Sequence, residues 1–229
     1  MNALVCLASP QPSRACRAAL SLACRLGEDF HVTVLSAGPQ PESGAVEESR
    51  RAGAKRLVHV VDPALDTVDS FTLGMVLAAA ARWLKADLVL AGAASDQEGR
   101  GLVPAALAHH LSASILSGVE DVAYDRAGAD EIIAVCCAGG QRMRLAFKLP
   151  VVLTVAPDTL PCPEPAPAAT NPSPAVECLS LLQLGIEPSR LAPAPDSLGS
   201  LQPGPSKPEV VASVDELVAR WLARDDHQS

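Results

Sequence analysis

The stretch Asp87-Leu88-Val89-Leu90-Ala91-Gly92-Ala93-Ala94-Ser95-Asp96-Gln97-Glu98-Gly99-Arg100-Gly101-Leu102 decides how this chain folds. Residues 88–91 are uninterrupted aliphatics, too short a run for a helix. They read as a strand covered on both faces, with Asp87–Ala91 as its span. The run ends in glycine, a small and polar connection follows, and from Val103 to Leu111 apolar residues return at helical spacing. A strand passing through a small-residue loop into a helix is half of a parallel crossover unit.

The same rhythm extends upstream. Residues 3–8 are a short apolar run that reads as a buried strand. Residues 13–26 carry Ala15, Ala19, Leu22 and Leu26 at helical spacing, with Gly27 suited to the helix end. Residues 31–36 form the next strand, 42–52 a short polar helix closed by Gly53, and 57–61 a third β-rich run. Asp69 or Ser70 caps an alanine- and leucine-rich helix reaching Leu84. Strand and helix alternating in this way predict an α/β fold, an open, mostly parallel, doubly wound sheet.

Downstream of Ser114 the alternation stops. Residues 115–122, 131–138 and 141–148 read as strands without helices between them, and Gly139-Gly140 is a hairpin signal. They predict a small antiparallel addition, with 151–155 as a last core strand. Residues 157–174 and 188–208 are saturated with proline, which leaves no ladder and no helix there. Between them 175–184 reads as a short helix or strand, and 214–223 as an amphipathic terminal helix capped by Ser213. The expected division is a domain over 1–156 and an extended proline-rich arm over 157–229.

Composition narrows the function. Of 229 residues 48% are hydrophobic but only 3% aromatic, so the core is built from Ala, Val and Leu. Net charge is −8 and no basic run gathers on one face, which argues against nucleic acid as a partner. The seven cysteines, Cys6, Cys16, Cys24, Cys136, Cys137, Cys162 and Cys178, contain no C-x-x-C pair and read as buried thiols. Neither they nor the five histidines show metal-ligand spacing. The first nine residues lack the charged start of a leader, and no apolar run approaches the ~20 residues of a membrane span. A cytoplasmic protein without membrane insertion is expected.

In an open parallel sheet, ligands bind beyond the carboxyl ends of the strands. The loop from Gly92 to Leu102 leaves such an end. Gly99 and Gly101 let backbone N–H groups approach an anion, and the helix beyond presents its positive end. Arg100 adds a cationic fork, while Asp96 accepts hydrogen bonds from a ribose or from the loop itself. The lysine and hydroxyl pair of a Walker loop is missing, and on spacing alone a plain surface connection fits equally well. His59 lies in a strand and reads as packed. His109 and His110 fall side by side at a helix end, on different faces, and read as surface residues. No Ser-His-Asp set is suggested and no residue stands out as acid, base or nucleophile, so an enzyme with its own catalytic residues is not expected.

The segment Gly38-Pro39, followed by Gly53-Ala54-Lys55-Arg56-Leu57-Val58-His59-Val60, resembles the G-P…G-A-x-R-x-x-H-V stretch of electron transfer flavoprotein β subunits. The likeness continues through Val76-Leu77, residues 87–92, the glycine loop and Gly139-Gly140. It ends in Lys148-Leu149-Pro150-Val151-Val152-Leu153-Thr154, which is similar to the family's K-L-P-A-V-V-T signature. The resemblance implies an adenine-nucleotide-hydrolase-like sheet in a heterodimer whose α subunit carries most of the FAD contacts. The β subunit would shield the flavin and hold an AMP. Electrons would come from dehydrogenases such as those acting on acyl-CoA and pass to a membrane quinone oxidoreductase or another acceptor, with the flavin supplying the chemistry.

Carried over residue by residue, the AMP site falls on Cys6 or Ala8 at the end of the first strand and on Ala37 before Gly38-Pro39. It continues through the loop, where Arg100-Gly101-Leu102-Val103 stands in the place of T-G-Q-V. The threonine and glutamine partners are thereby lost, and the family's N-P-F-D/E segment has no counterpart before His31. The docking loop after the signature, rich in Lys and Ala with an R-Y pair, is replaced by residues 160–174, which contain no Arg, Lys or Tyr. That replacement implies a changed or narrowed set of redox partners. A different reading of the same sheet is a stand-alone adenine-nucleotide module resembling universal stress proteins.

Overall fold

The aliphatic runs form strands because Val, Leu and Ile pack well on a pleated surface covered from both sides. They are β1 (Asn2–Leu7), β2 (His31–Gly38), β3 (Arg56–Val61), β4 (Leu88–Gly92), β5 (Ser114–Asp125), β6 (Glu131–Ala138), β7 (Gln141–Lys148) and β8 (Val151–Val155). A further strand, β9 (Val176–Ser180), follows the first proline-rich stretch. These assignments come from a computed structural model that describes residues 1–7, 13–26, 29–41, 46, 49, 54, 56–93, 101–125, 131–156 and 175–191. The chain divides into two compact units, Met1–Ala194 and Pro195–Ser229. The second lies outside the described residues, and with it the helix expected at 214–223. Of the expected helix over 42–52 only Val46 and Ser49 are described, both helical.

Among the described residues the nine strands join in one sheet, ordered β7-β6-β5-β8-β4-β1-β2-β3-β9. From β8 to β9 every neighbouring pair is parallel. The sheet is therefore open, mixed and mostly parallel, as the alternating pattern predicts. Strand β5 serves both halves. Its Ser114–Leu116 stretch lies parallel to β8, the register shifts between Leu116 and Val119, and the remainder runs antiparallel to β6. Gly118 sits at that shift with φ +71°, and its N–H donates to Thr154 Oγ1 at 3.4 Å. The β6–β7 hairpin closes on Gly139 (φ +58°) and Gly140 (φ +76°), the left-handed pair a two-residue turn requires.

Helix α1 (Arg14–Arg25) covers one face of the sheet, and α2 (Ser70–Trp83) and α3 (Leu102–Leu111) cover the other. The starts are set by local chemistry. Ser13 Oγ accepts from Cys16 N at 3.1 Å to cap α1, and Asp69 Oδ1 accepts from Thr72 N at 2.6 Å to cap α2. On the α1 side Val5, Leu7, Leu88, Leu90 and Leu153 meet Ala19, Leu22 and Ala23. On the other, Leu4, Cys6, Val58, Val89 and Val152 meet Val76, Leu77, Ala80 and Leu107. Alanine-rich helices let backbones lie close to the sheet, and the low aromatic content follows from that closeness.

The segment 175–191 packs back onto the edge of β3. Strand β9 pairs along Leu57–Val61, and Arg56 Nε and Nη2 both donate to Glu177 Oε2, at 3.0 and 2.7 Å. Leu179 and Leu181 are buried in the α2 side of the core.

Candidate nucleotide-binding site

The chain winds β1, β2, β3 to one side of the sheet, then crosses back so that β4 lies on the other side of β1. Strand order therefore reverses between β1 and β4. The helices that follow these strands, α1 and α3, cover opposite faces, the arrangement that in open α/β sheets leaves a crevice at the carboxyl ends. The described ends of the loop read from the sequence as a phosphate cradle, Gly92–Ala93 and Gly101, follow β4 and precede α3, and residues 94–100 between them lie outside the described residues.

Gly92 and Gly101 shape it, each for a different reason. A Cβ on Gly92 would lie 3.0 Å from Ala15 Cβ, 3.0 Å from Cys16 N and 3.1 Å from Cys16 Sγ. Glycine at this position lets the first turn of α1 rest on the end of β4. Gly101 has φ +56°, and a Cβ there would stand 2.5 Å from the carbonyl oxygen of Ala93. It is the N-cap of α3 and carries no side chain to satisfy that helix's first N–H groups. Among the described residues no side chain caps the opening N–H groups of α3, an arrangement suited to an anionic group.

The other sequence-predicted residues are distributed around this point. Cys6 pairs on both edges, with Leu35 and with Ala91, and its thiol is sunk in the α2 side of the core. Burial, reinforced by nearby Cys16, pushes that thiol up to about 12. What Cys6 offers at the strand end is small volume, not reactivity. Ala37 is half-buried near the end of β2. Leu102 is exposed and Val103 half-buried, both in the first turn of α3. Ala8, Asp96, Gly99 and Arg100 lie outside the described residues.

Two features of the described residues stand outside the site as read from the sequence. The His59 ring is buried, as its strand position suggested, but it also bridges two residues of β2. Its Nδ1 lies 2.8 Å from Ser36 Oγ and its Nε2 lies 3.3 Å from the Gly38 carbonyl oxygen. The hint in the sequence was His59 standing in the same motif as Gly38-Pro39. The second feature is the adjacent pair His109 and His110. Their rings converge, 5.2 Å apart and both against Phe71, although neighbouring helical positions start on different faces. The reach of the side chains overrides the 100° step between them.

Compared with known proteins, residues 9–179 match the model of the electron transfer flavoprotein domain. That range runs from the β1–α1 connection into β9 and takes in β2, β4 and the start of α3, though not β1 itself. The chain belongs to the electron transfer flavoprotein family.

Among curated relatives, the chain is similar to the electron transfer flavoprotein subunit beta of Mycobacterium bovis, 32% identical over 100 residues. It is also similar to the subunit of the same name from Clostridium acetobutylicum, 32% identical over 117 residues. The matched stretches cover 43% and 51% of this chain, and 38% and 44% of the relatives' own lengths. The chain thus spans less than half of the relatives it matches. Within this electron transfer flavoprotein fold no described helix is long and apolar enough to cross a membrane. No described group of three or more His, Cys, Asp and Glu side chains is arranged to hold a metal.

Proposed function

We propose that this chain is the β-type component of an electron transfer flavoprotein heterodimer, with an α-type subunit holding most of an FAD. It binds an adenine nucleotide, AMP in the first instance, in the crevice between β1 and β4. One observation carries the reading. The family match runs through a strand-order reversal where the uncapped start of α3 and the left-handed Gly101 stand ready for a phosphate.

The residues present suit such a group in type. Leu102 and Val103 offer backbone N–H groups, Gly92 and Gly101 let β4, α1 and the start of α3 pack closely around the site, and Ala37 and the end of β1 supply small walls. Asp96, Gly99 and Arg100 complete the loop, with Arg100 as the cationic partner of the phosphate. FAD, when bound, supplies the redox chemistry. This chain's share is to shield the flavin from water and fix its surroundings, with no acid, base or nucleophile of its own. Electrons then pass from a dehydrogenase, such as one acting on acyl-CoA, to a quinone oxidoreductase or another acceptor. The proline-rich arm expected over 157–229, apart from the 175–191 stretch that joins the sheet of the domain expected over 1–156, wraps the α-type subunit, and the cytoplasm is the expected compartment. Residues 160–174 lack the Arg, Lys and Tyr of the family's docking loop, so the partner set is narrowed.

The test is co-expression with the α-type subunit of the same genome. A stable yellow complex that releases FAD and AMP on denaturation is expected. A lone colourless monomer with every α-type candidate overturns the electron-transfer reading. A yellow complex without adenine mononucleotide overturns only the AMP assignment. Efficient reduction by an ordinary acyl-CoA dehydrogenase overturns the narrowed partner set.

A further inference from the structure

The carboxyl end of β2 lies one strand from β1, and beside its backbone pairing with β3 it is braced by a buried side chain. His59 lies directly across from Ser36 in the β2–β3 register and is 3% exposed. Its Nε2 faces the carbonyl oxygen of Gly38, which only accepts, so Nε2 carries the hydrogen and donates across 3.3 Å. That tautomer leaves Nδ1 to accept from the Ser36 hydroxyl at 2.8 Å. The ring also lies against the Gly38 backbone, with Cε1 at 3.8 Å from where a Cβ would stand. The same Gly38 carbonyl accepts from Asp62 N at 3.3 Å, and Asp62 Oδ1 caps the turn Pro63–Asp66 through Ala64 N at 2.9 Å. Residues 36 and 38 are thus anchored to β3 on one face of β2, and Ala37 is the residue between them.

We infer that His59 is a positioning residue for the nucleotide, holding the Ala37–Gly38 backbone as a rigid wall of the crevice through its bridge from Ser36 to Gly38. The inference rests on the nucleotide reading above. The argument is one of pre-organisation. A β-strand end with no side-chain anchor frays, and a loop that must be ordered on binding subtracts its ordering entropy from the affinity. A valine or leucine at 59 would satisfy the core equally well, but it would leave the Gly38 carbonyl with one donor fewer and the Ser36 hydroxyl unpaired at the ring. An imidazole in this strand is therefore explained by what it holds at the end of β2, and packing alone does not require it.

The experiment titrates AMP into the full-length chain, co-expressed with its α-type subunit and stripped of nucleotide. It compares the parent protein with Ser36→Ala, His59→Phe and the double variant, and records the melting temperature of each without AMP. His59→Phe keeps an aromatic ring in the strand and removes the hydrogen bonds to Ser36 and Gly38, and AMP affinity is expected to fall about tenfold. Ser36→Ala is expected to lose about threefold, and the double variant to be no weaker than His59→Phe alone, because the two changes cut one bridge. A lower melting temperature with unchanged AMP affinity in the folded fraction assigns His59 to the core and overturns the inference. Should His59→Phe fail to fold, Ser36→Ala decides, since it removes one hydroxyl from a strand and nothing else. Absence of AMP binding by the parent protein overturns the nucleotide reading itself, and this inference with it.

Discussion

At the residue scale, glycine and cysteine show how closely the two layers approach. A Cβ on Gly74 of α2 would stand 2.5 Å from Ala106 Cβ and 3.0 Å from Leu107 N of α3. Gly74→Ala gains about 1 kcal/mol of helix propensity, but pushing two packed backbones apart costs about 1–3 kcal/mol. The clash meets backbone as well as a methyl, so the clash wins. Urea unfolding is expected to show net destabilisation, partly relieved by adding Ala106→Gly. Cys6 makes the complementary point about titration. Its thiol is raised from an ordinary 9.0 to about 12 by burial first and by Cys16 second. The unfolded chain releases this proton above 9, whereas the folded chain keeps it to about 12. The thiol's contribution to stability is therefore complete below the unfolded value and lost as pH rises through that window. A Cys6→Ala chain should lose this steepening of unfolding between pH 9 and 11. In the parent protein at pH 8, alkylation mapped by mass spectrometry should find Cys24, Cys137 and Cys178 labelled and Cys6, Cys16 and Cys136 protected.

At the element scale, capping explains where helices begin. Asp69 accepts from Thr72 N, and that backbone hydrogen bond, the largest influence, holds its carboxyl below the usual 3.8. A depressed carboxylate stabilises the fold above its unfolded pKa and loses that contribution as pH falls through its folded value. Asp69→Ala should cost about 1 kcal/mol at pH 7. The difference between the two proteins should close on acidification in denaturant titrations. A persisting difference at low pH would show that packing, not the cap, was lost. The sequence displayed this cap, as Asp69 or Ser70 before an apolar periodic run, but it reads Ser13 as part of its helix and not as the cap. It displayed β6, β7 and β8 to the residue, because β-branched and aliphatic clusters there are bounded by Gly139-Gly140 and Leu149-Pro150. What it concealed was non-local. The kink at Gly118 depends on Thr154 of β8, and the Ser36–His59 bridge depends on strand register, which single-sequence periodicity does not carry. The sequence around β9 fits a short helix as well as a strand. Its short run Val176–Ser180 has a clear partner only once β3 is known to be an open edge.

At the scale of the whole molecule, that edge decides how much chain the sheet requires. A parallel sheet is stable when both faces are covered and its edges are paired or guarded. At one edge, β7 carries exposed Arg142, Arg144 and Lys148 along its outer face, charges that discourage another strand from joining. At the other, β3 presents alternating Leu57, His59 and Val61 with no comparable charge beyond Arg56, and β9 covers it. Leu179 of β9 and Leu181 just after it are 2% and 0% exposed, and burying a leucine side chain contributes about 2 kcal/mol. The Arg56–Glu177 pair adds less, since both side chains are 40% or more exposed and screened by water. A chain ended after Ala156 keeps every strand from β1 to β8 but uncovers Val58, Val60 and Leu65. It should unfold at markedly lower denaturant than a chain ended after Leu191, and should self-associate at micromolar concentration, read by light scattering. Equal midpoints for the two truncations would mean that the β3 edge is stable without a cover. The return of 175–191 to the sheet would then serve only to direct the residues that follow it.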